Sequence, residues 1–300
     1  MNIRGTRIRE FLWAATIVLS VLAGCKDNGI QPPPNENPIP TDEAPSWSPD
    51  GQRICFTHIS IDPNDTTYPT GLYVIDTSGN NRRRVILGPA YNPDWSPDGK
   101  RIAFNKGDIF TILPTGDSLF RVTNVGSAFS PGWSPDAKKI AFDTPYQDAH
   151  GANAIWIINA DGTSLHDISQ HGTGEWRDPA WSPNGLYILH YRYIGVGTSE
   201  IFRMDTLGNN PVRLTYNNND DQHARWSPDG LSIAWAKDTG IWLMNADGTN
   251  QRELFGEYAS DPSWSSDSKQ IVFTKTTLSK DKIVLWKINV DASEARQLTH

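Results

Sequence analysis

A five-residue phrase, Trp-Ser-Pro-Asp-Gly, recurs six times with small variations and constrains the fold more than any other feature of the chain. The copies start at Trp47, Trp95, Trp133, Trp181, Trp226 and Trp264. Their intervals of 48, 38, 48, 45 and 38 residues match the period of a four-stranded propeller blade rather than that of a helical or leucine-rich repeat. Each copy lies between apolar runs with a period of two, which predicts a turn joining two β-strands.

Two further strands follow each copy of the phrase, and no segment between them has a helical pattern. Strands that cannot bury both faces alone are expected to stack around an axis. The sequence therefore predicts an all-β fold, a six-bladed β-propeller with four antiparallel strands per blade, over residues 44–300. The repeated tryptophans and aspartates are interpreted as packing and turn residues. Ala137 and Ser268 replace the turn glycine, which predicts weaker turns in the third and sixth copies.

The head of the chain has the plan of an export signal. Three arginines precede an apolar run, and the segment Leu22-Ala23-Gly24-Cys25 resembles the bacterial lipoprotein lipobox. This resemblance implies a lipoprotein signal peptide at residues 1–24 and a lipid on Cys25. Residues 25–43 are predicted to be a proline-rich tether. We also expect each blade to be built from contiguous sequence, so that residues 28–43 complete no blade.

Composition narrows the classes of partner. The chain has a formal net charge of −7 and no basic stripe, which argues against nucleic acid. It contains no nucleophile elbow, no zinc-protease helix and no phosphate-binding glycine loop. We therefore expect no catalytic residue, no metal and no cofactor. The chain is expected to be a monomer that contacts the membrane by its lipid anchor only.

Strand polarity separates the two ends of the predicted ring. The Ser-Pro-Asp-Gly turns lie at one end, while the longer and variable loops lie at the other, which is the candidate binding face. The longest predicted loops are His58 to Thr70, Asp143 to Asn153, Tyr191 to Ser199 and Thr274 to Lys282. Residues just before each repeated tryptophan should surround the channel mouth at this end. The candidate ligand-binding residues are Asn92, Trp176, Arg177, Asp178, His223 and Asp261.

With its repeated phrase, the strand after it and a closing Leu-Thr, the chain resembles the TolB-like propeller family, whose repeats are related to WD-type blades. Unlike TolB itself, it is expected to be a lipoprotein without an N-terminal α/β domain. We expect a non-enzymatic binding or scaffolding protein of the bacterial cell envelope, with a protein, peptide or polysaccharide ligand. The alternative is a propeller enzyme, a lyase or hydrolase with its site at the channel mouth. Lys26 after the lipobox favours the outer membrane, facing the periplasm, and cell-surface exposure stays open.

Overall fold

The computed structural model describes residues 40–62, 64–145, 153–169, 175–195, 197–238, 240–277 and 282–300. In these ranges every regular element is a β-strand, and each copy of the repeated phrase belongs to a group of four strands, called repeats 1 to 6 below. Repeat 1 contains β1 (Thr41–Trp47), β2 (Arg53–Ile59), β3 (Gly71–Asp76) and β4 (Arg83–Leu87), and repeat 2 contains β5 (Tyr91–Trp95), β6 (Ile102–Lys106), β7 (Asp108–Ile112) and β8 (Phe120–Arg121). Repeat 3 contains β9 (Phe129–Trp133), β10 (Lys139–Thr144), β11 (Ala154–Asn159) and β12 (His166–Asp167), and repeat 4 contains β13 (Trp176–Trp181), β14 (Tyr187–Gly195), β15 (Thr198–Asp205) and β16 (Val212–Arg213). Repeat 5 contains β17 (Asp221–Trp226), β18 (Ser232–Lys237), β19 (Gly240–Asn245) and β20 (Arg252–Phe255), and repeat 6 contains β21 (Ala259–Trp264), β22 (Gln270–Thr276), β23 (Ile283–Asn289) and β24 (Arg296–Gln297).

The serine and aspartate of the repeated phrase hold the turn between the first two strands of each repeat. In repeat 1 the Ser48 hydroxyl donates to Asp50 at 2.5 Å and accepts the Arg53 amide at 2.9 Å. The Asp50 carboxylate also accepts the Gln52 amide at 3.0 Å. The same serine-to-acid bond recurs in every repeat, with Asn184 in place of aspartate in repeat 4. These side chains are therefore turn residues, as the sequence predicted.

The turns of repeats 3 and 6 hold a side chain where the backbone favours glycine. Ala137 has φ +57°, a left-handed conformation that costs a residue with a Cβ about 1–2 kcal/mol. Glycine avoids this cost but loses more conformational freedom on folding, so we expect Ala137→Gly to raise the free energy of unfolding by a smaller amount, about 0.5–1 kcal/mol. Urea denaturation of purified protein measures this difference.

The reciprocal change in repeat 2 is the matched control. Gly99 has φ +71°, and a Cβ there would lie 3.4 Å from a ring carbon of Pro49. Gly99→Ala should therefore lower stability by about 1 kcal/mol. Equal effects of the same sign from the two substitutions would contradict this account of the turn.

The prediction of six separate four-stranded blades is wrong. Repeats 2, 3, 4 and 5 each form their own four-stranded antiparallel sheet, so the fold has four separate blades. The eight strands of repeats 1 and 6 form a single sheet in which β23 lies next to β1. The fold is thus an all-β propeller, but its first and last repeats are not independent blades.

The strands of repeats 1 and 6 join into one sheet at the start of β1. Thr41 pairs in parallel with Ile283 at the start of β23, and the Ile283 amide donates to the Pro40 carbonyl at 3.3 Å. Asp42 fixes this segment, because it accepts two hydrogen bonds from Arg82 at 2.9 and 3.0 Å and contacts His58 at 2.7 Å. The expectation that residues 28–43 complete no blade is therefore wrong at Thr41, which pairs with the last repeat, while Asp42 and Glu43 pair with β2 of repeat 1.

Hydrophobic clusters form between consecutive repeats. Trp95 of repeat 2, for example, packs with Cys55 and Leu72 of repeat 1. Between the last and first repeats, Trp47 packs with Val272 among other residues. Each sheet therefore buries its faces against the next one, which is how a repeat too small for its own core becomes stable. Cys55 is completely buried, as expected of a small core residue.

The innermost strand of every repeat contains an irregularity that shapes the channel. Its register against the second strand shifts in all six repeats. One residue at each shift has φ between 48° and 55°, and these residues are Ala44, Asn92, Ser130, Asp178, His223 and Asp261. In all repeats but the fifth, the next residue is proline, which cannot donate to a neighbouring strand. Six backbone kinks at equivalent positions thus surround one end of the axis.

The loops at this end differ from their predicted form in repeat 4. Most of the segment from Tyr191 to Ser199 continues β14 and β15 as a hairpin. Within the described ranges, no helix has the length and apolar character needed to cross a membrane.

Candidate functional site

A cavity of about 440 Å³ lies along the axis of the ring. At the loop-bearing end it is lined by the six left-handed residues of the inner strands. One layer deeper it is lined by the residues directly before each repeated tryptophan, which are Ser46, Asp94, Gly132, Ala180, Arg225 and Ser263. At the far end are the turn prolines and Ser266. We call the loop-bearing end of this cavity the channel mouth.

Charge is concentrated on the side of the mouth formed by repeats 4 to 6. The two terminal nitrogens of Arg225 donate to the two oxygens of Asp178, each at 2.8 Å. His223 Nδ1 lies 3.3 Å from the same Asp178 and 3.4 Å from Asp261. Burial lowers the pKa of His223, but Asp261 and Asp178 outweigh it and raise that pKa to about 9. His223 is therefore an imidazolium at neutral pH, with Asp178 between two cations.

The other side of the mouth is small and neutral at its surface. Ala44, Asn92 and Ser130 occupy it, and the Asn92 amide donates to the Ser130 hydroxyl at 3.4 Å. Below them, Asp94 accepts the Trp133 amide at 2.9 Å and a longer bond of 3.4 Å from Ser46. Burial raises the pKa of Asp94 to about 6. The mouth therefore has a charged half and a half whose surface is uncharged, with the desolvated carboxylate of Asp94 beneath the latter.

Four of the six predicted ligand-binding residues line the cavity together: Asn92, Asp178, His223 and Asp261. Arg177 lies beside the mouth, paired with Glu175 at 3.1 Å and 6.0 Å from the Tyr193 ring centre. Trp176 is buried in the core instead, stacked on His190 with ring centres 4.5 Å apart. The predicted lipidation site, Cys25, lies outside the described residues.

Sequence reasoning missed Arg225 and Asp94. A signal was present, because the residue directly before the repeated tryptophan is small in the other four repeats. A charged side chain at a position that is otherwise serine, glycine or alanine indicates a local function. In the described part of the chain, no three His, Cys, Asp or Glu side chains come together so that they could hold a metal ion.

Fold and site together define an all-β propeller with an open, charged axial channel. The chain belongs to the TolB beta propeller domain family, whose match covers residues 72–300. A curated relative, an uncharacterized protein of Agrobacterium fabrum, is 30% identical over 128 residues, which are 41% of this chain and 43% of that protein. The chain thus spans less than half the length of this relative.

Two solved structures illustrate the range of proteins that share the fold. TolB from Acinetobacter baumannii superposes with a TM-score of 0.70 at 19% identity, covering 81% of this chain and 62% of that chain. An oligogalacturonate lyase in complex with manganese superposes with a TM-score of 0.54 at 15% identity, covering 81% and 87%. At these identities the likeness is one of fold alone.

Proposed function

We propose that this chain is a non-enzymatic binding protein of the bacterial cell envelope that holds a peptide, protein or polysaccharide at the channel mouth. The observation that carries the proposal is the convergence of Asp178, His223, Arg225 and Asp261 on one open cavity. A rigid scaffold holding a few oriented polar groups in a concave site is the usual form of a ligand site. Membership of the TolB propeller family agrees with an envelope location.

The finer location is also part of the proposal. The lipobox-like segment ending in Cys25 supports a lipid anchor, and Lys26 supports the outer membrane with the ring in the periplasm or at the cell surface. We propose that the ring is a monomer held by this anchor and a proline-rich tether. Labelling of cells with a radioactive fatty acid tests the anchor, since Cys25→Ala should abolish incorporation into the protein.

The enzymatic alternative uses the same cavity with different chemistry. A lyase acting on a polyuronate has to bind a polyanion, and an anionic chain entering this channel would meet the carboxylates of Asp94, Asp178 and Asp261. The two cations there are already engaged by Asp178 and Asp261. This charge arrangement favours binding of a different ligand over uronate cleavage.

Site-specific photo-crosslinking in cells tests the location of the binding site. A photoreactive amino acid replaces Phe129, which is 36% exposed and adjoins Ser130 at the mouth, or Leu119, which is 51% exposed before an outermost strand. We expect discrete crosslinked envelope products from position 129 and about tenfold less from position 119. Equal products from both positions would overturn the proposal that the mouth is the binding face.

A further inference from the structure

We propose that the channel mouth binds a basic side chain of a peptide or protein partner, with Asp94 and Glu43 as its counter-charges. This inference rests on the proposed function and names the ligand chemistry of the same site.

The cations at the mouth have no free capacity for an anionic ligand. Arg225 donates two hydrogen bonds to Asp178, which also contacts His223. His223 is in turn shared with Asp261. These four groups neutralise one another, so any additional carboxylate at the mouth lacks a cation of its own.

Asp94 is one such carboxylate. It lies in the deeper layer of the cavity, and its hydrogen bonds come from a backbone amide and a hydroxyl, both uncharged. Arg225 attracts it from a distance, whereas Asp178 repels it. Its pKa of about 6 reflects a carboxylate that the protein desolvates without pairing it.

Glu43 is the second unpaired carboxylate. It is half-buried and directly precedes Ala44 of the mouth, and within the described ranges its side chain makes no hydrogen bond or ion pair, although its backbone pairs with Thr57 of β2. Burial and the charges of Asp261 and Asp42 raise its pKa to about 8. Glu43 directly precedes Ala44, which lines the mouth, and its charge adds to the effect of burial in raising the pKa of Tyr91, the equivalent residue of repeat 2.

The other repeats show that the fold does not need either charge. At the position of Asp94 they have serine, glycine, alanine or arginine, and at the position of Glu43 repeat 5 has Gln222 and repeat 6 has Ser260. Two desolvated carboxylates that the architecture can do without are expected where a ligand supplies the missing positive charge.

The position of Asp94 in the cavity favours a long basic side chain, which a peptide can supply. Asp94 lies one layer below the entrance, within reach of a long side chain with a terminal cation. The six repeated tryptophans also line this cavity, and each of them is buried or half-buried.

Three peptides of the form acetyl-Gly-X-Gly-amide, with X as lysine, norleucine or glutamate, serve as probes. Isothermal titration calorimetry with the residue 25–300 protein measures their affinities at about pH 8.5 and about pH 5.5. We expect lysine to bind about tenfold more tightly than norleucine at the higher pH. Asp94 and Glu43 become protonated below their pKa values of about 6 and about 8, so most of this preference should be lost at the lower pH.

Matched variants locate the effect. Asp94→Ser and Glu43→Gln, which copy residues of other repeats, should each reduce the preference for lysine at least threefold. Asp98→Asn, at the far end of the ring where repeat 4 naturally has Asn184, should leave it unchanged. Equal binding of lysine and norleucine, a preference for glutamate, no binding of any probe, or an equal effect of Asp98→Asn would each overturn the inference. Mouth-specific crosslinking would stand in all four cases, so failure here is distinguishable from failure of the proposed function.

Discussion

Arg225→Ala should lower the free energy of unfolding by about 2–4 kcal/mol, the largest loss we expect from a single substitution at the channel. The Asp178 side chain is only 5% exposed, and the substitution leaves its carboxylate with His223 as its remaining charged partner. Breaking a buried pair from one side is costly because one charge is left without compensation. The Arg225 side chain is 36% exposed to the channel, so water there screens part of the interaction and keeps the loss below the upper limit for buried pairs.

The double variant Asp178→Ser, Arg225→Ala is the matched control. It copies the neighbouring junction, where Ser130 of repeat 3 and Ala180 of repeat 4 occupy the equivalent positions. We expect it to recover most of the stability lost in the single variant, giving a coupling energy of about 1–3 kcal/mol in a urea-denaturation cycle. If the losses in the two single variants simply add, the pair does not stabilise the channel.

The same variants test the charge state of His223 independently of stability. Asp178→Ser removes one of the two carboxylates that raise the pKa of His223 to about 9, so an NMR titration should show a lower value. The contacts of His223 with Asp178 and Asp261 also make a contribution to stability that depends on pH. Because the folded pKa lies above the ordinary value of 6.5, the stabilisation is complete below about pH 6.5 and is lost as the pH rises toward 9.

Local chemistry explains how much of the fold was predictable. The turn in which Ser48 and Asp50 bond to each other and to the next strand depends on four or five consecutive residues, so its repetition shows in the sequence. Sheet boundaries depend on contacts between distant residues. The pairing of Thr41 with Ile283 joins the first and last repeats, and no local pattern in either segment indicates it.

The residues of the candidate site were likewise predictable only in part. Strand polarity was enough to bring Asp178, His223 and Asp261 to one mouth, because their equivalent places in the repeat determine their layer. It did not distinguish successive residues of the strand. Trp176 lies two residues before Asp178 and would share its face in a regular strand. The register shifts at Asp178, which has φ +55°, and Trp176 packs on His190 in the core instead. Arg225 was overlooked because its partner, Asp178, lies 47 residues away in the adjacent repeat.

His190→Phe should raise the free energy of unfolding, and by more in acid than at neutral pH. His190 is 1% exposed, and neither ring nitrogen has a hydrogen-bond partner among the described residues. The equivalent residues of four other repeats are Phe56, Phe104, Phe142 and Phe273. Removing two unsatisfied buried polar atoms should stabilise the protein by about 1–3 kcal/mol at pH 8. The ring should also keep its stacking between Trp176 and Phe202.

The acid dependence follows from linkage. Burial, with a smaller contribution from Arg192, lowers the pKa of His190 from 6.5 to about 3, so between these values the unfolded chain binds a proton that the folded protein cannot. Stability from the neutral ring is complete above about pH 6.5 and is lost as the pH falls, by about 2 kcal/mol at pH 5. The gain from His190→Phe should therefore be about 2 kcal/mol larger at pH 5 than at pH 8. Taking the difference between the two proteins cancels the other titrating groups.

Phe142→His in repeat 3 is the reciprocal test. Phe142 is completely buried at the equivalent position, so a histidine there should reduce stability and make it fall more steeply in acid, as His190 does. Urea denaturation at several pH values measures both variants against the parent protein. A His190→Phe gain that is the same at pH 5 and pH 8 would mean that His190 accepts a proton in the folded state, and that the ring is not held neutral by its aromatic surroundings.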